Sequence, residues 1–280
     1  MRSEKEMFDL IINFAKSNDQ IKAVLLNGSR ANINVKKDMF MDYDVVYVVE
    51  STKPFIEHKN WISYFGQILI MQEPDNSDLF NVEIPNEDKF TYLMQFTDGN
   101  RIDLTFATVE FAQKICKEDS QTKILLDKAN IFSKLPLPSD KSYFIKKPTE
   151  NEFLACCNEF WWISTYVAKG LWRKNLIYSL EVYNQNLHPE LMKILRFSVG
   201  LENNFEVTSG KYDKYFKDLL PSETYNKLLK TYPFADEQSI WNSLKISCEL
   251  FDEEAKLISG RLNYRYDERE SQNVIKYIFK

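Results

Sequence analysis

Asp42 and Asp44 stand one residue apart just before an apolar run, and their type and spacing suggest metal chemistry. If residues 42–49 form a β-strand, residues i and i+2 point to the same face, so the two carboxylates project side by side. At a separation of about 7 Å and an effective dielectric constant of about 20, they repel each other by about 2 kcal/mol. A bound divalent metal ion is the simplest group that could offset this repulsion.

A glycine-serine turn precedes the acidic pair. An apolar strand pattern over residues 21–26 leads into Gly28-Ser29-Arg30, and Asp42 follows Arg30 by twelve residues. Glycine lets a phosphate approach the backbone, where exposed amides and the Ser29 hydroxyl can donate hydrogen bonds to its oxygens. Arg30 is a further candidate for a phosphate contact. Such a turn is usually an ordinary loop, so its significance depends on the acids that follow it.

A third aspartate, Asp103, lies inside the second strand of a predicted hairpin over residues 90–106, whose Asp-Gly pair suits a tight turn. Aspartate runs against the propensity of a strand interior, and Ile102 and Leu104 occupy the opposite face. Each acid alone could be a solvated surface residue. Together with the turn, the three acids predict a metal-dependent nucleotide site, because Mg²⁺ takes oxygen ligands from one or two carboxylates and the substrate phosphates. Phosphoryl-type transfer depends on such positioning and charge neutralisation.

Hydrophobic periodicity predicts the elements that position these residues. Ser3 and Glu6 form a capping box before a first helix, and a proline-containing stretch over residues 135–148 separates a mixed α/β region from a helical one. In the first region we expect strands over residues 21–26, 42–49, 67–71, 90–97 and 101–106, and helices over residues 53–65 and 108–117. In the second we expect helices over residues 149–169, 174–187, 189–201, 211–219, 223–230 and 237–259.

Composition limits the classes of protein and partner. The 280 residues are 44% hydrophobic, which is enough for two globular domains. A net charge of −5 argues against a nucleic acid partner and suits a cationic small molecule. We expect neither a signal peptide nor a membrane span, and hence a cytoplasmic protein. For the oligomeric state we expect a monomer or a small homo-oligomer. Four cysteines without a Cys-x-x-Cys pair, and only two histidines, argue against a structural zinc site.

At the turn and the three acids the chain resembles the nucleotidyltransferase superfamily of the DNA polymerase β type. Longer segments narrow the resemblance to the aminoglycoside 6-adenylyltransferases, which modify streptomycin, and the similarity spans nearly the whole chain. These segments are Met1-Arg-Ser-Glu-Lys-Glu-Met7, Asn27-Gly-Ser-Arg30, Cys156-Cys-Asn-Glu-Phe-Trp161 and Ser164-Thr-Tyr-Val-Ala-Lys-Gly170.

The resemblance implies an α+β fold. It comprises a polymerase β-type nucleotidyltransferase domain with a mixed sheet and flanking helices over residues 1–142, and an α-helical bundle domain over residues 143–280. ATP and Mg²⁺ would bind in a cleft between them, and AMP would pass to the 6-hydroxyl of streptomycin with release of pyrophosphate, inactivating the antibiotic. Asp42 and Asp44 carry over as metal ligands, with Ser29 at the phosphates. Asp103 is a metal ligand, the base that takes the acceptor's proton, or both.

Further residues are candidates for substrate contacts. Lys169 and Arg173 are neighbours if their helix continues through Gly170, and we expect them to contact the β and γ phosphates; the alternative is a solvated basic face. Streptomycin carries guanidinium groups, which pair well with carboxylates. Glu159 and an acidic segment over residues 73–88 are therefore candidates for drug recognition, and an acidic solvated loop is the alternative for the segment. Its acids are Glu73, Asp75, Asp78, Glu83, Glu87 and Asp88.

The acceptor has alternatives, and so does the class of protein. Another aminoglycoside, a lincosamide, or a hydroxyl of a protein or tRNA could replace streptomycin, although the acidic balance disfavours tRNA. A relative that binds nucleotide or drug without turnover is a different class. The presence of all three acids argues against it.

Overall fold

A computed structural model of the chain describes residues 1–32, 35, 37–80 and 87–280. The chain divides into two compact units, Met1–Ser142 and Tyr143–Lys280. The first contains a β-sheet with helices, and the second is helical. This confirms the predicted α+β fold class. Glu83, one of the acids proposed to recognise the drug, lies outside the described residues.

Within the described residues, six strands form the mixed sheet of the first unit. They are β1 (Ile21–Asn27), β2 (Tyr43–Val49), β3 (Ile68–Gln72), β4 (Lys89–Phe96), β5 (Arg101–Thr108) and β6 (Lys123–Asp127). Their order is β3-β4-β5-β2-β1-β6. Strands β2 and β5 are parallel, and the other neighbours are antiparallel. The predicted β4–β5 hairpin is confirmed, whereas the short edge strand β6 was not predicted from the sequence.

The helices of the first unit are α1 (Glu4–Ser17), α2 (Gly28–Ala31), α3 (Lys53–Glu57), α4 (Ser77–Phe80) and α5 (Val109–Glu118). The predicted capping box at Ser3 and Glu6 is present at the start of α1. The single helix predicted over residues 53–65 is wrong. Helix α3 ends at Glu57 because His58 is extended, and a 3-10 helix over Lys59–Phe65 follows.

The sheet is covered on both faces along β2. Val45 and Tyr47 pack with residues of α1 such as Ile11 on one face, and Val46 and Val48 pack with residues of α5 on the other. Val45 to Val49 are accordingly all buried, and this explains the continuous apolar run in the sequence. The side chains of Asp42 and Asp44, by contrast, are only partly buried.

The second unit contains α6 (Glu150–Trp172), α7 (Leu176–Val182), α8 (His188–Glu202), α9 (Phe216–Leu219), α10 (Ser222–Leu229), α11 (Glu237–Leu262) and α12 (Glu268–Ile278). Thr149 and Glu152 form the predicted capping box of α6. Helix α12 was not predicted. The helix expected from residue 174 begins later, because Lys174 has a positive φ of 57°, and it continues as a π-helical turn over Tyr183–Leu187. No helix in the described ranges is both long and apolar enough to span a membrane.

Candidate active site

Asp44 lies between two polar neighbours on adjacent strands. Its register partner on parallel strand β5 is Asp103, and its partner on antiparallel strand β1 is Asn27. Neighbouring strands are about 4.8 Å apart, and paired residues project to the same face. The tertiary structure therefore places the carboxylates of Asp44 and Asp103 side by side, although 58 positions separate them in the sequence.

Gly28 allows the carboxylate of Asp44 to pack against the turn. Its φ is +69°, a conformation that favours glycine. A Cβ atom at this position would lie 2.5 Å from Asp44 Oδ2 and 3.2 Å from Asp44 Cγ, so only glycine leaves room for the carboxylate. Ser29 follows directly in the four-residue helix α2. The turn and the second acid of the Asp-x-Asp pair thus form one contiguous structure.

Asp42 precedes β2 by one residue, and Arg30 holds the backbone at this point. The Arg30 guanidinium donates hydrogen bonds to the carbonyl oxygens of Asp42 at 3.1 Å and of Met41. It also lies 3.9 Å from the centre of the Tyr43 ring and forms an ion pair with Glu4 at 3.3 Å. The side chain is only 6% exposed. These contacts assign Arg30 to positioning Asp42, and its contact with a phosphate stays a prediction.

Arg101 is a member of the acidic cluster that the sequence analysis missed. Its Nε donates to Asp103 Oδ1 at 2.7 Å and its Nη2 to Asp103 Oδ2 at 2.8 Å, which is a two-pronged contact. Its Nε also lies 3.7 Å from Asp42 Oδ2. The hydrogen bond with Asp103 raises the pKa of Arg101, partial burial lowers it, and the charges of Asp103, Asp42 and Asp44 raise it further. The signal was available, because residues 101 and 103 share one face of a strand.

The donor chemistry of this cluster suits a hard divalent cation, since carboxylate oxygens from Asp42, Asp44 and Asp103 converge around one end of β2. In the part of the chain that the structure describes, however, no three acidic, cysteine or histidine side chains form a ready-made ligand set. The two oxygens of Asp103 are bonded to Arg101. The assignment of the three acids as metal ligands therefore stays a prediction.

A sequence model described as streptomycin adenylyltransferase matches residues 1–280 of the chain. The chain belongs to this family. An aminoglycoside 6-adenylyltransferase of Staphylococcus aureus is 36% identical over 279 residues, which is 99% of this chain and 98% of the relative. One of Campylobacter jejuni is 37% identical over 279 residues, with 99% and 96% covered. The chain is also similar to the crystal structure of an aminoglycoside 6-adenyltransferase from Bacillus subtilis, at 32% identity, with 99% and 98% of the chains covered and a TM-score of 0.48.

Several of the acids that were candidates for drug recognition have other partners in the structure. In the acidic segment, Glu73 is buried and pairs with Lys59 at 2.6 Å. Asp75 pairs with Lys89 at 2.9 Å and accepts a hydrogen bond from the Thr91 amide. These two acids are paired with lysines of the first unit, so the segment as a whole is not a free acidic surface. Asp88 bonds Thr108 at the end of β5, while Asp78 and Glu87 are exposed.

The second-unit candidates share one face of α6. The helix continues through Gly170 as the prediction requires, and Arg173 is its C-terminal cap residue. Along this face Trp162 is 58% exposed and donates a hydrogen bond from Nε1 to the Tyr166 hydroxyl at 2.9 Å. Lys169 Nζ lies 5.5 Å from the centre of the Tyr166 ring. Glu159 is exposed one turn before Trp162. The contact of Lys169 and Arg173 with the phosphates stays a prediction.

Proposed function

We propose that this chain transfers AMP from ATP to a hydroxyl group of an aminoglycoside, and that the drug is streptomycin, modified at its 6-hydroxyl. Family membership and relatives named aminoglycoside 6-adenylyltransferase support the class of reaction. One geometric observation carries the proposal for the site. Asp44 lies beside Asp103 on the neighbouring strand and against the Gly28 turn, so two of the acids adjoin the turn that we propose binds the phosphates.

The reaction assigns separate tasks to these groups. The acceptor oxygen forms a bond to the α-phosphorus of ATP, the bond from that phosphorus to the bridging oxygen of the β-phosphate breaks, and pyrophosphate leaves. The backbone at Gly28 and the Ser29 hydroxyl would hold the phosphates. Asp42 and Asp44, with Asp103 as a further ligand, would hold Mg²⁺, which when bound neutralises triphosphate charge and makes the acceptor hydroxyl more acidic.

We also propose Asp103 as the general base that accepts the proton of the acceptor hydroxyl. Its register position beside Asp44 puts its carboxylate next to the proposed phosphate site, where a general base must be within hydrogen-bonding reach of the hydroxyl. Bound Mg²⁺ would make the acceptor hydroxyl more acidic, so Asp103 would orient the hydroxyl and accept its proton.

Charge favours a cationic acceptor. The net charge of the chain is −5, and the side chains of Asp78, Glu87 and Glu159 are exposed acids. Carboxylates form strong two-pronged hydrogen bonds with guanidinium groups, which streptomycin carries. We propose these three acids as candidate contacts for the drug. The pairing of Glu73 and Asp75 with lysines leaves them less suited to this role.

Mass spectrometry of streptomycin after incubation with the protein, ATP and Mg²⁺ tests the proposal. We expect the drug to gain the mass of one AMP, pyrophosphate to appear in equal amount, and fragmentation to place the AMP on the 6-hydroxyl. Asp44→Asn is the control, because it retains the size of the side chain and removes one charge; it should fold and lose transfer. Transfer to a lincosamide or another aminoglycoside, with none to streptomycin, would refute the choice of drug. No transfer to any acceptor would refute the function.

A further inference from the structure

The acidic cluster contains its own cation. Arg101 bonds both oxygens of Asp103 and approaches Asp42, so a guanidinium sits among the carboxylates that are predicted to bind the metal. It reaches this position because residues 101, 103 and 105 of β5 point to the same face, next to Asp44 of β2. The two hydrogen bonds from the guanidinium fix the orientation of the Asp103 carboxylate. A single point charge, such as a lysine ammonium group, would not fix it.

We propose that Arg101 is a positioning residue that holds Asp103 and weakens the binding of free divalent cations, so that the metal is taken up together with the nucleotide triphosphate. This inference rests on the proposed function, since it concerns the same acids. Beyond that function, the inference states that the metal binds together with the nucleotide and that Arg101 determines this order.

The charge and the geometry both support this role. Arg101 brings one positive charge to the three carboxylates and occupies both oxygens of Asp103. A free cation must therefore compete with a guanidinium for its third ligand. A cation bound to a triphosphate brings its own oxygens and needs only one or two carboxylates from the protein. The triphosphate also supplies negative charge that can accept the guanidinium.

The structure also provides space for the displaced side chain. Arg101 is 38% exposed and lines a cavity of about 480 Å³ on the same face of the sheet. The other lining residues are Ile70, Met71, Gln72, Leu93 and Gln95, none of which is charged. The guanidinium can therefore leave Asp103 by rotation of its own side chain, without rearrangement of the sheet.

Titration of the apoprotein with Mn²⁺ alone, followed by calorimetry or by the electron paramagnetic resonance signal of the free ion, tests the proposal. We expect Arg101→Gln to bind Mn²⁺ at least ten times more tightly than the wild type, because one positive charge leaves the cluster. Arg101→Lys keeps the charge and loses the two-pronged contact, so its affinity should lie between the two. With a non-hydrolysable ATP analogue present, the difference between the wild type and Arg101→Gln should shrink.

Arg196→Gln is the matched control. Arg196 is 37% exposed and also bonds an aspartate at 2.7 Å, but its partner Asp213 belongs to no predicted metal site. This variant should bind Mn²⁺ as the wild type does. Unchanged or weaker Mn²⁺ binding by Arg101→Gln, in a variant that melts within a few degrees of the wild type, would overturn the proposal. If Arg101→Gln does not fold, Mn²⁺ affinity of Arg101→Lys no higher than that of the wild type would overturn it.

The same samples separate this inference from the proposed function. If the wild type adenylylates no acceptor while Arg101→Gln still gains Mn²⁺ affinity, the function fails and the role of Arg101 holds. If the wild type adenylylates streptomycin while Arg101→Gln and Arg101→Lys gain no affinity, the function holds and the role of Arg101 fails.

Discussion

Replacing Gly28 with alanine tests whether the turn and the acidic pair act as one structure. The new Cβ would lie 2.5 Å from Asp44 Oδ2, so the carboxylate must move by about 1 Å to reach ordinary van der Waals contact. The positive φ of +69° adds a backbone penalty of about 1–2 kcal/mol for a residue with a side chain. Rotating Asp44 away from its preferred conformation costs roughly another 0.5–1.5 kcal/mol.

We therefore expect Gly28→Ala to lower the free energy of unfolding by about 2–3 kcal/mol, measured by urea denaturation. A misplacement of about 1 Å in a catalytic group can reduce a rate by about a hundredfold. AMP transfer to streptomycin should accordingly fall by about that factor at temperatures where the variant is fully folded. The loss should appear mainly in kcat, because Asp44 is proposed to act during transfer.

Two further variants identify the cause. Gly66→Ala also introduces backbone strain, at φ +121°, but the atoms nearest to its Cβ would belong to the Arg2 guanidinium, at 3.3 Å and beyond. It should lose stability and keep the transfer rate per folded molecule. In an Asp44→Ala background the overlapping carboxylate is absent, so Gly28→Ala should cost only the backbone penalty. Full transfer activity in folded Gly28→Ala would refute the link between the turn and Asp44.

Three other predictions concern separate parts of the chain. Arg30→Lys keeps the charge but loses the hydrogen bonds to two backbone carbonyls, so urea denaturation should show a loss of about 2–3 kcal/mol; wild-type stability with a raised KM for ATP would instead favour phosphate contact. Lys169→Ala should reduce kcat/KM for ATP at least tenfold, whereas Lys245→Ala, an exposed helix lysine, should not; equal effects would refute the phosphate contact. Burial lowers the pKa of His188 from 6.5 to about 4, so between these values the unfolded chain binds a proton that the native chain does not. The free energy of unfolding should fall by about 3 kcal/mol as the pH drops through this window. Urea denaturation of His188→Gln between pH 7 and pH 4 should lack this part of the loss. A pH dependence equal to that of the wild type would contradict the role of His188.

Local elements were predictable where the signal depends on neighbours in the sequence. The capping boxes at Ser3 and Thr149 and the β4–β5 hairpin each depend on residues within a few positions of one another, and the structure confirms them. The same local reasoning failed where a single residue interrupts a periodic pattern. His58 is extended inside the helix predicted over residues 53–65, and Lys174 has a positive φ at the start of the next predicted helix. Helix propensity differs little between such residues, so the pattern could not locate the break.

Partners of charged side chains were less predictable than elements. In the sequence, Glu73 and Asp75 belong to an acidic segment without compensating charges, because no lysine or arginine lies among residues 73–88. The structure brings Lys59 and Lys89 to them from other elements. A pairing between positions fourteen residues apart depends on how the chain folds back, and composition along the sequence carries no information about it.

The sequence by itself determined the candidate acids and the glycine turn, because residue types at short spacing carry them, and it determined the family, because matching segments occur along nearly the whole chain. Only the tertiary structure decided that Asp103 lies in register with Asp44, that Gly28 makes room for that carboxylate, and that Arg101 sits among the acids. The reason is that strand alternation fixes which face a side chain occupies but not which residue on another strand faces it. That register is set by the burial of both faces of β2 and by the parallel pairing with β5, which are properties of the whole sheet.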